Sequence, residues 1–461
     1  MPNPRSAWTA LISLLLVAAS CPARAAEARW DFVVGLDPAQ EILTVRGCSA
    51  QAQALVRLRA GSEALPYLKS LTRGEQQSLR PDARGVRASH WQAGECYEAR
   101  IDLKAAGLAD RYRIGRGKDY WRVSPALWFW RPRQLDPEST LEFRLPAGWS
   151  ESVPWTPIGE SHRYRLGATP DDWPAQTAFG RFDETLIDLP GGRLRVAILP
   201  LVDASRRQSV MDWFKDTAPV LLASDGQVPL PDTQVLIVPL PGVSEPVPWG
   251  QVSRGGAAAV ALFVGAEAGS EAWRQDWTTA HELAHLQHPF LGSSGRWLAE
   301  GLASYYQNVW RARTGQFSAA EGWRRLDAGF KRGRAVGSGP PLAELGRGWG
   351  GTMRVYWAGA AYWLESDIAL RQHGSSLDAV LGAFRRQHLP SERYWPPEDF
   401  IAALDAEVPQ AGLLARYQRY ASDREFPDLR DSYRALGLKI GQIPDAELPA
   451  NPLRDSIMQR R

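Results

Sequence analysis

The chain has 461 residues, 44% of them hydrophobic and 10% aromatic, which is enough apolar material for a large core and more chain than one ordinary domain uses. Its 54 Lys and Arg stand against 51 Asp and Glu, a formal net charge of +3, so the basic excess that grips nucleic acid or an anionic membrane surface is missing. Two or three domains and no nucleic-acid partner are expected, and the 20 tryptophans report packing rather than a dedicated aromatic site.

Residues 1–26 read as a secretory signal: Arg5 supplies the positive start, residues 7–19 an apolar run, and Ala23-Arg24-Ala25 the small-x-small cleavage rule. The run is too short to span a bilayer, and no other stretch reaches the ~18 apolar residues that a transmembrane helix needs. An exported protein, bacterial periplasmic or secreted, with no transmembrane segment is therefore expected. Cys21 follows Ala19-Ser20 as in a lipoprotein cleavage site, but Ala18 stands where a larger aliphatic is usual, which argues against a lipid anchor. Once the signal is removed, Cys48 and Cys96 remain, either as a disulfide or as two unpaired buried thiols.

Residues 27–201 read as a β-domain. Short apolar or alternating runs such as Trp30-Asp31-Phe32-Val33-Val34 and Leu141-Glu142-Phe143-Arg144-Leu145 are separated by Gly and Pro, and Pro190-Gly191-Gly192 signals a hairpin. A β-sandwich or saddle packs many short strands of this kind. His90 and His162 stand alone and have no ligand spacing.

From residue 202 the texture becomes helical. Residues 205–223 predict a helix, residues 233–240 a strand, and 239–248 an extended loop. The apolar run at 257–264 predicts a further strand, either a substrate-aligning edge or an ordinary buried strand. A helix beginning near Ala272, with Ser270 as its N-cap, then runs to Pro289.

That helix carries His281-Glu282-Leu283-Ala284-His285. Residues four apart share a helix face, so both imidazoles can address one point, with Glu282 about 100° round the cylinder. Hydrolytic zinc sites take three protein ligands and leave a fourth position for water. Gly292-Ser293-Ser294-Gly295 turns the chain into a second helix from Trp297, and a connection this short packs the two antiparallel, returning Glu300 to the histidine pair. Glu300 is thus the expected third ligand for one Zn2+ per chain, in place of a helix-start acid set by the macrodipole. His288, beside a proline at the helix end, reads as a capping or solvent-facing residue. Ser304, four after Glu300, is a helix-face serine that could also support a ligand.

Together with Trp297-Leu298-Ala299-Glu300-Gly301 and Tyr305-Tyr306, this motif resembles the gluzincin metallopeptidases, in particular the glycyl aminopeptidase family and its aminopeptidase N relatives. Val355-Tyr356-Trp357-Ala358-Gly359-Ala360 resembles the family segment whose tyrosine hydrogen-bonds the transition-state oxyanion, which implies that role for Tyr356. The resemblance also implies an α+β multidomain fold, with an N-terminal β-sandwich or saddle and a thermolysin-like catalytic domain over 202–343. A helical C-terminal lobe over 344–441 and a polar tail over 442–461 complete the expected chain.

The implied activity is exported, zinc-dependent hydrolysis of peptides or proteins, with Glu282 as general base. The alternative is a non-catalytic peptide- or protein-binding member with a structural zinc. Three features depart from the family. Its amine-binding glutamate lies in a Gly-rich segment before the metal helix, where this chain has Gly255-Gly256-Ala257-Ala258-Ala259; no spacing selects Glu267 or Glu271 as a substitute. The interval from His285 to Glu300 is shorter than in aminopeptidase N, and no PDZ domain follows residue 441. Aminopeptidase and endopeptidase action both remain open.

Overall fold

The computed structural model describes residues 28–74, 77–109, 115–167, 169–254, 257–348, 351–444 and 448–459. The expected signal segment, with Cys21, lies outside the described residues, as do Gly255 and Gly256. The N-terminal part is built on a mainly antiparallel eight-stranded sheet with two three-stranded sheets beside it. Trp30–Asp37 shows why: its residues alternate between buried and half-buried, the period that puts one sheet face into a core. Trp30, Phe32, Val34, Trp91, Tyr97, Trp128 and Trp155 fill that core, which accounts for much of the tryptophan content. Cys48 and Cys96 face each other on paired strands and are joined as a disulfide, which resolves the alternative left by their spacing.

The second half is organised on a five-stranded sheet of β1 (Glu184–Leu189), β2 (Gly192–Ile198), β3 (Asp232–Leu240), β4 (Trp249–Ser253) and β5 (Ala258–Gly265), in spatial order β1-β2-β3-β5-β4. The inner strands β2, β3 and β5 are parallel, while β1 and β4 run antiparallel at the two edges. β5 is buried along its whole length, as an inner strand covered on both faces must be.

The hairpin at Pro190-Gly191-Gly192, read with the N-terminal β-structure, joins β1 and β2 of this second sheet. Of the two readings of the run at 257–264, the ordinary buried strand holds, because β4, just after the proline-rich stretch, takes the edge beside it. The two halves meet through a smaller apolar cluster of Tyr120, Ala178 and Phe182 against Ala197, Leu199, Leu236, Val238, Ala261 and Phe263. Arg195, buried on β2, pairs with Glu184 and Asp232 at 3.1 and 2.9 Å and donates to the carbonyls of Val153 and Trp155, tying the sheet to the N-terminal part.

Five helices matter for the site: α1 (Ala204–Thr217), α2 (Thr278–Ala284), α3 (Arg296–Arg313), α4 (Thr352–Gln372) and α5 (Pro452–Met458). The predicted metal helix is in fact two, because Ser270–Gln275 ends at Asp276, whose carboxylate accepts from the backbone N–H groups of Thr278 and Thr279 and so caps α2. α3 is buried from Trp297 to Arg313 except at Glu300, which is half-buried and lines the cleft. The polar tail carries α5, docked by Arg313 Nε on the Ile457 carbonyl and Arg371 Nη1 on that of Ser456, with Ile457 and Met458 buried. No helix among the described residues is long and apolar enough to cross a membrane.

Candidate metal centre

α2 and α3 pack against each other, and α3 packs against α4. The closest approach of α3 and α4 is set by two glycines. A methyl added to Gly301 would run into the Gly359 backbone, and one on Gly359 into the carbonyl of Trp297. Glu300 precedes one of these glycines and Tyr356 stands one turn before the other. The helix crossing therefore carries both side chains to His281 on α2 and to His285 in the turn that follows it.

His281, His285 and Glu300 bring one ligand atom each to within 4.8 Å of one another. Glu300 Oε2 lies 3.2 Å from His281 Nε2 and 3.7 Å from His285 Nε2. Zinc bonds of ~2.0–2.1 Å at tetrahedral angles separate ligand atoms by about 3.3 Å, so the spacing and the two-imidazole, one-carboxylate donor set both fit that ion.

Each imidazole is oriented from behind. His281 Nδ1 donates to Gln307 Oε1 at 2.8 Å. His285 Nδ1 lies 3.1 Å from His288 Nε2, and His288 Nδ1 lies 2.8 Å from the Pro289 carbonyl. A carbonyl can only accept, so His288 carries its proton on Nδ1 and its Nε2 accepts from His285 Nδ1–H. That leaves the His285 Nε2 lone pair aimed at the cluster. His288 is thus buried and partnered, not solvent-facing: the chain leaves the helix in extended conformation at this residue and folds the ring back beneath His285. Ser304 makes no hydrogen bond to a ligand; the support comes from Gln307, two turns after Glu300 on the same face of α3.

The electrostatics follow from burial and these partners. Burial works against a charge on His281, but the Glu300 carboxylate outweighs it and raises the ring's pKa. On His285 burial prevails and lowers the value to about 4. Glu300 is held well below the usual carboxylate range because the two imidazoles overcome its burial. Burial pushes Glu282 up to about 7. Its carboxyl stands against the edge strand so closely that a Cβ on Gly250 would strike it. The Tyr356 ring stacks on His281 with centroids 5.6 Å apart, and burial, with Glu300 nearby, raises its hydroxyl's pKa.

Glu282, His285, Glu300 and Tyr356 line a cleft of about 520 Å3, bordered by β4 and by the segment at Gly346-Arg347-Gly348. All five residues singled out in the sequence are therefore brought together. Gln307, Gly250 and Arg254 were not singled out; Gln307 alone had a legible signal, its seven-residue spacing from Glu300. Glu267 and Glu271 line no part of this cleft, and His162 pairs with Glu151 in the N-terminal part.

No protein-family model and no curated protein match the sequence. Solved structures do match. An aminopeptidase N family protein from Idiomarina loihiensis superposes with a TM-score of 0.62 at 12% identity, covering 88% of this chain and 78% of that one. An M1 zinc metallopeptidase from Deinococcus radiodurans gives 0.51 at 15% identity, with coverage of 88% and 95%. A mutant of an M1 zinc metallopeptidase from that organism, bound to a Tyr-Ser-Ala substrate, gives 0.51 at 13% identity with the same coverage. The chain therefore has the α+β multidomain fold of the M1 zinc metallopeptidases and aminopeptidase N family proteins.

Proposed function

We propose that this protein is an exported zinc-dependent peptidase whose metal is held by His281 Nε2, His285 Nε2 and Glu300. Zinc bound there would supply Lewis acidity toward a water molecule and a peptide carbonyl. Glu282 takes the proton of the attacking water and returns it to the departing amine nitrogen, a transfer for which its carboxyl is placed beside the triad and against β4. The Tyr356 hydroxyl donates to the oxyanion as charge develops on the carbonyl oxygen. β4, at the edge of its sheet and paired with β5 alone among the described strands, offers its backbone to an extended peptide. The His285–His288 pair keeps the ligand ring in one tautomer throughout.

The observation that carries this reading is the position of Glu282. A structural zinc site has a closed shell and no use for a neighbouring carboxylate facing a cleft, whereas here such a carboxylate shares a 520 Å3 cleft with two of the three ligands. Purified protein is expected to bind about one zinc per chain. Glu282→Ala is expected to retain that zinc, by metal analysis, and to lose peptide hydrolysis. Hydrolysis at the wild-type rate by the variant would overturn the assignment.

A further inference from the structure

The aromatic side chains that stand exposed among the described residues, Trp249, Trp277, Phe290 and Tyr394, all lie around the proposed metal site. A single exposed apolar side chain carries no meaning, but a cluster marks a contact surface. These four fall into two groups. Trp249 and Phe290 line the cleft on the His285 side, and the Tyr394 ring stands edge-on to Phe290 with centroids 6.2 Å apart. Trp277 lies on the other side, edge-on to the His281 ring at 5.8 Å, and lines a second recess of about 360 Å3 with Met353, Trp357 and Tyr356.

Tyr356 lines both spaces, and its ring stacks on His281. A peptide carbonyl that meets the Tyr356 hydroxyl therefore lies between two lobes, one for the residue on each side of the bond. An extended chain sends successive side chains to opposite faces, so neighbours across one bond can enter both. Phe290 is 48% exposed, Trp277 47% and Met353 39%, which leaves each lobe with apolar surface to cover. The arginines of the second recess do not call for an acid: Arg325 is held by Glu321 at 2.6 Å, Arg311 is buried with its Nε on Gln316 at 2.8 Å, and Arg332 lies over the Trp357 ring at 4.9 Å. Among the described residues the only acids lining either space are Glu282 and Glu300, already assigned to proton transfer and metal binding, so no carboxylate is left to hold a terminal ammonium group.

We propose that the cleft binds an internal stretch of extended chain with large aromatic side chains next to the bond at the metal. Phe290 and Trp249 contact the residue on one side of that bond, and Trp277 and Met353 the residue on the other. The inference rests on the reading of the cleft as a peptidase site.

The test compares an N-acetylated, C-amidated heptapeptide that has Phe at its centre and Ala elsewhere with its all-Ala counterpart. Wild-type protein is expected to cut the first on both sides of Phe, as read from product masses, about tenfold faster than the second. Trp277→Ala should suppress one of the two cuts about fivefold relative to the other, and Phe290→Ala the opposite one, at unchanged zinc content. If Trp277→Ala fails to fold, Met353→Ser, at an exposed position, should weaken the same cut. Equal loss of both cuts in both variants, or cutting on one side of Phe alone, overturns the two-lobe assignment. Equal rates for the two peptides, or cleavage only of unacetylated ones, overturns the proposal and leaves the peptidase reading standing. Equilibrium binding to zinc-loaded, full-length Glu282→Ala protein separates the two readings. Tighter binding of the Phe peptide, weakened by adding Trp277→Ala, without wild-type hydrolysis supports the aromatic lobes and counts against the peptidase reading alone.

Discussion

The state of His285 shows how a single carbonyl can set the chemistry of a proposed metal ligand. The Pro289 oxygen fixes the proton of His288 on Nδ1, His288 Nε2 then holds the His285 proton on its Nδ1, and the His285 Nε2 lone pair is left for the metal. Removing such a supporting partner costs roughly 10–100-fold in metal affinity. His288→Ala is therefore expected to lower zinc affinity by that range in chelator competition, with the fold retained by circular dichroism. Unchanged affinity would show that His288 only fills space. Of the groups around the proposed metal site, the histidine pair was legible because a four-residue helical spacing puts two donors on one face. His288 and Arg254 were not, since the first depends on where the chain turns after Gln287 and the second on a strand edge meeting the metal helix.

At the level of elements, the site depends on one helix crossing. Gly301 and Gly359 let α3 and α4 touch backbone to backbone, and Glu300 and Tyr356 stand beside that contact. Gly359→Ala must push the helices apart, and overpacking of this kind costs ~1–3 kcal/mol. The variant is expected to show a lower Tm and reduced hydrolysis, because Tyr356 moves relative to Glu300. An unaltered Tm would mean that the crossing tolerates a methyl and does not set the spacing. The edge strand beside them was hidden because prolines at 246 and 248 read as loop punctuation. Only the pairing of Trp249–Ser253 with β5 shows that a short strand fits there.

In the whole molecule, a buried polar network joins distant segments behind the metal centre. Asp378 accepts from Tyr306 Oη, Ser224 Oγ and Arg313 Nη1, each at 3.0 Å, and Arg313 also holds α5 through the Ile457 carbonyl. Breaking a buried charge pair by removing one partner costs ~3–5 kcal/mol. Asp378→Ala should reduce unfolding free energy by that amount in urea, with the midpoint shifted and the slope unchanged. A loss below ~1 kcal/mol, the range of exposed ion pairs, would mean that the network is not a tie.

The sequence by itself determined the features that depend on short-range periodicity: the α+β texture, the alternating strand at Trp30–Asp37, the two imidazoles one turn apart, and Glu300 after a tight connection. Helical and strand periods are properties of the backbone, so they show in any window of about a dozen residues. Tertiary structure alone decided which strand forms the cleft edge, that the sheet begins at Glu184, that His288 lies beneath His285, and that the last helix docks on α3 and α4. These depend on contacts between residues far apart in the chain, whose partners no local pattern names.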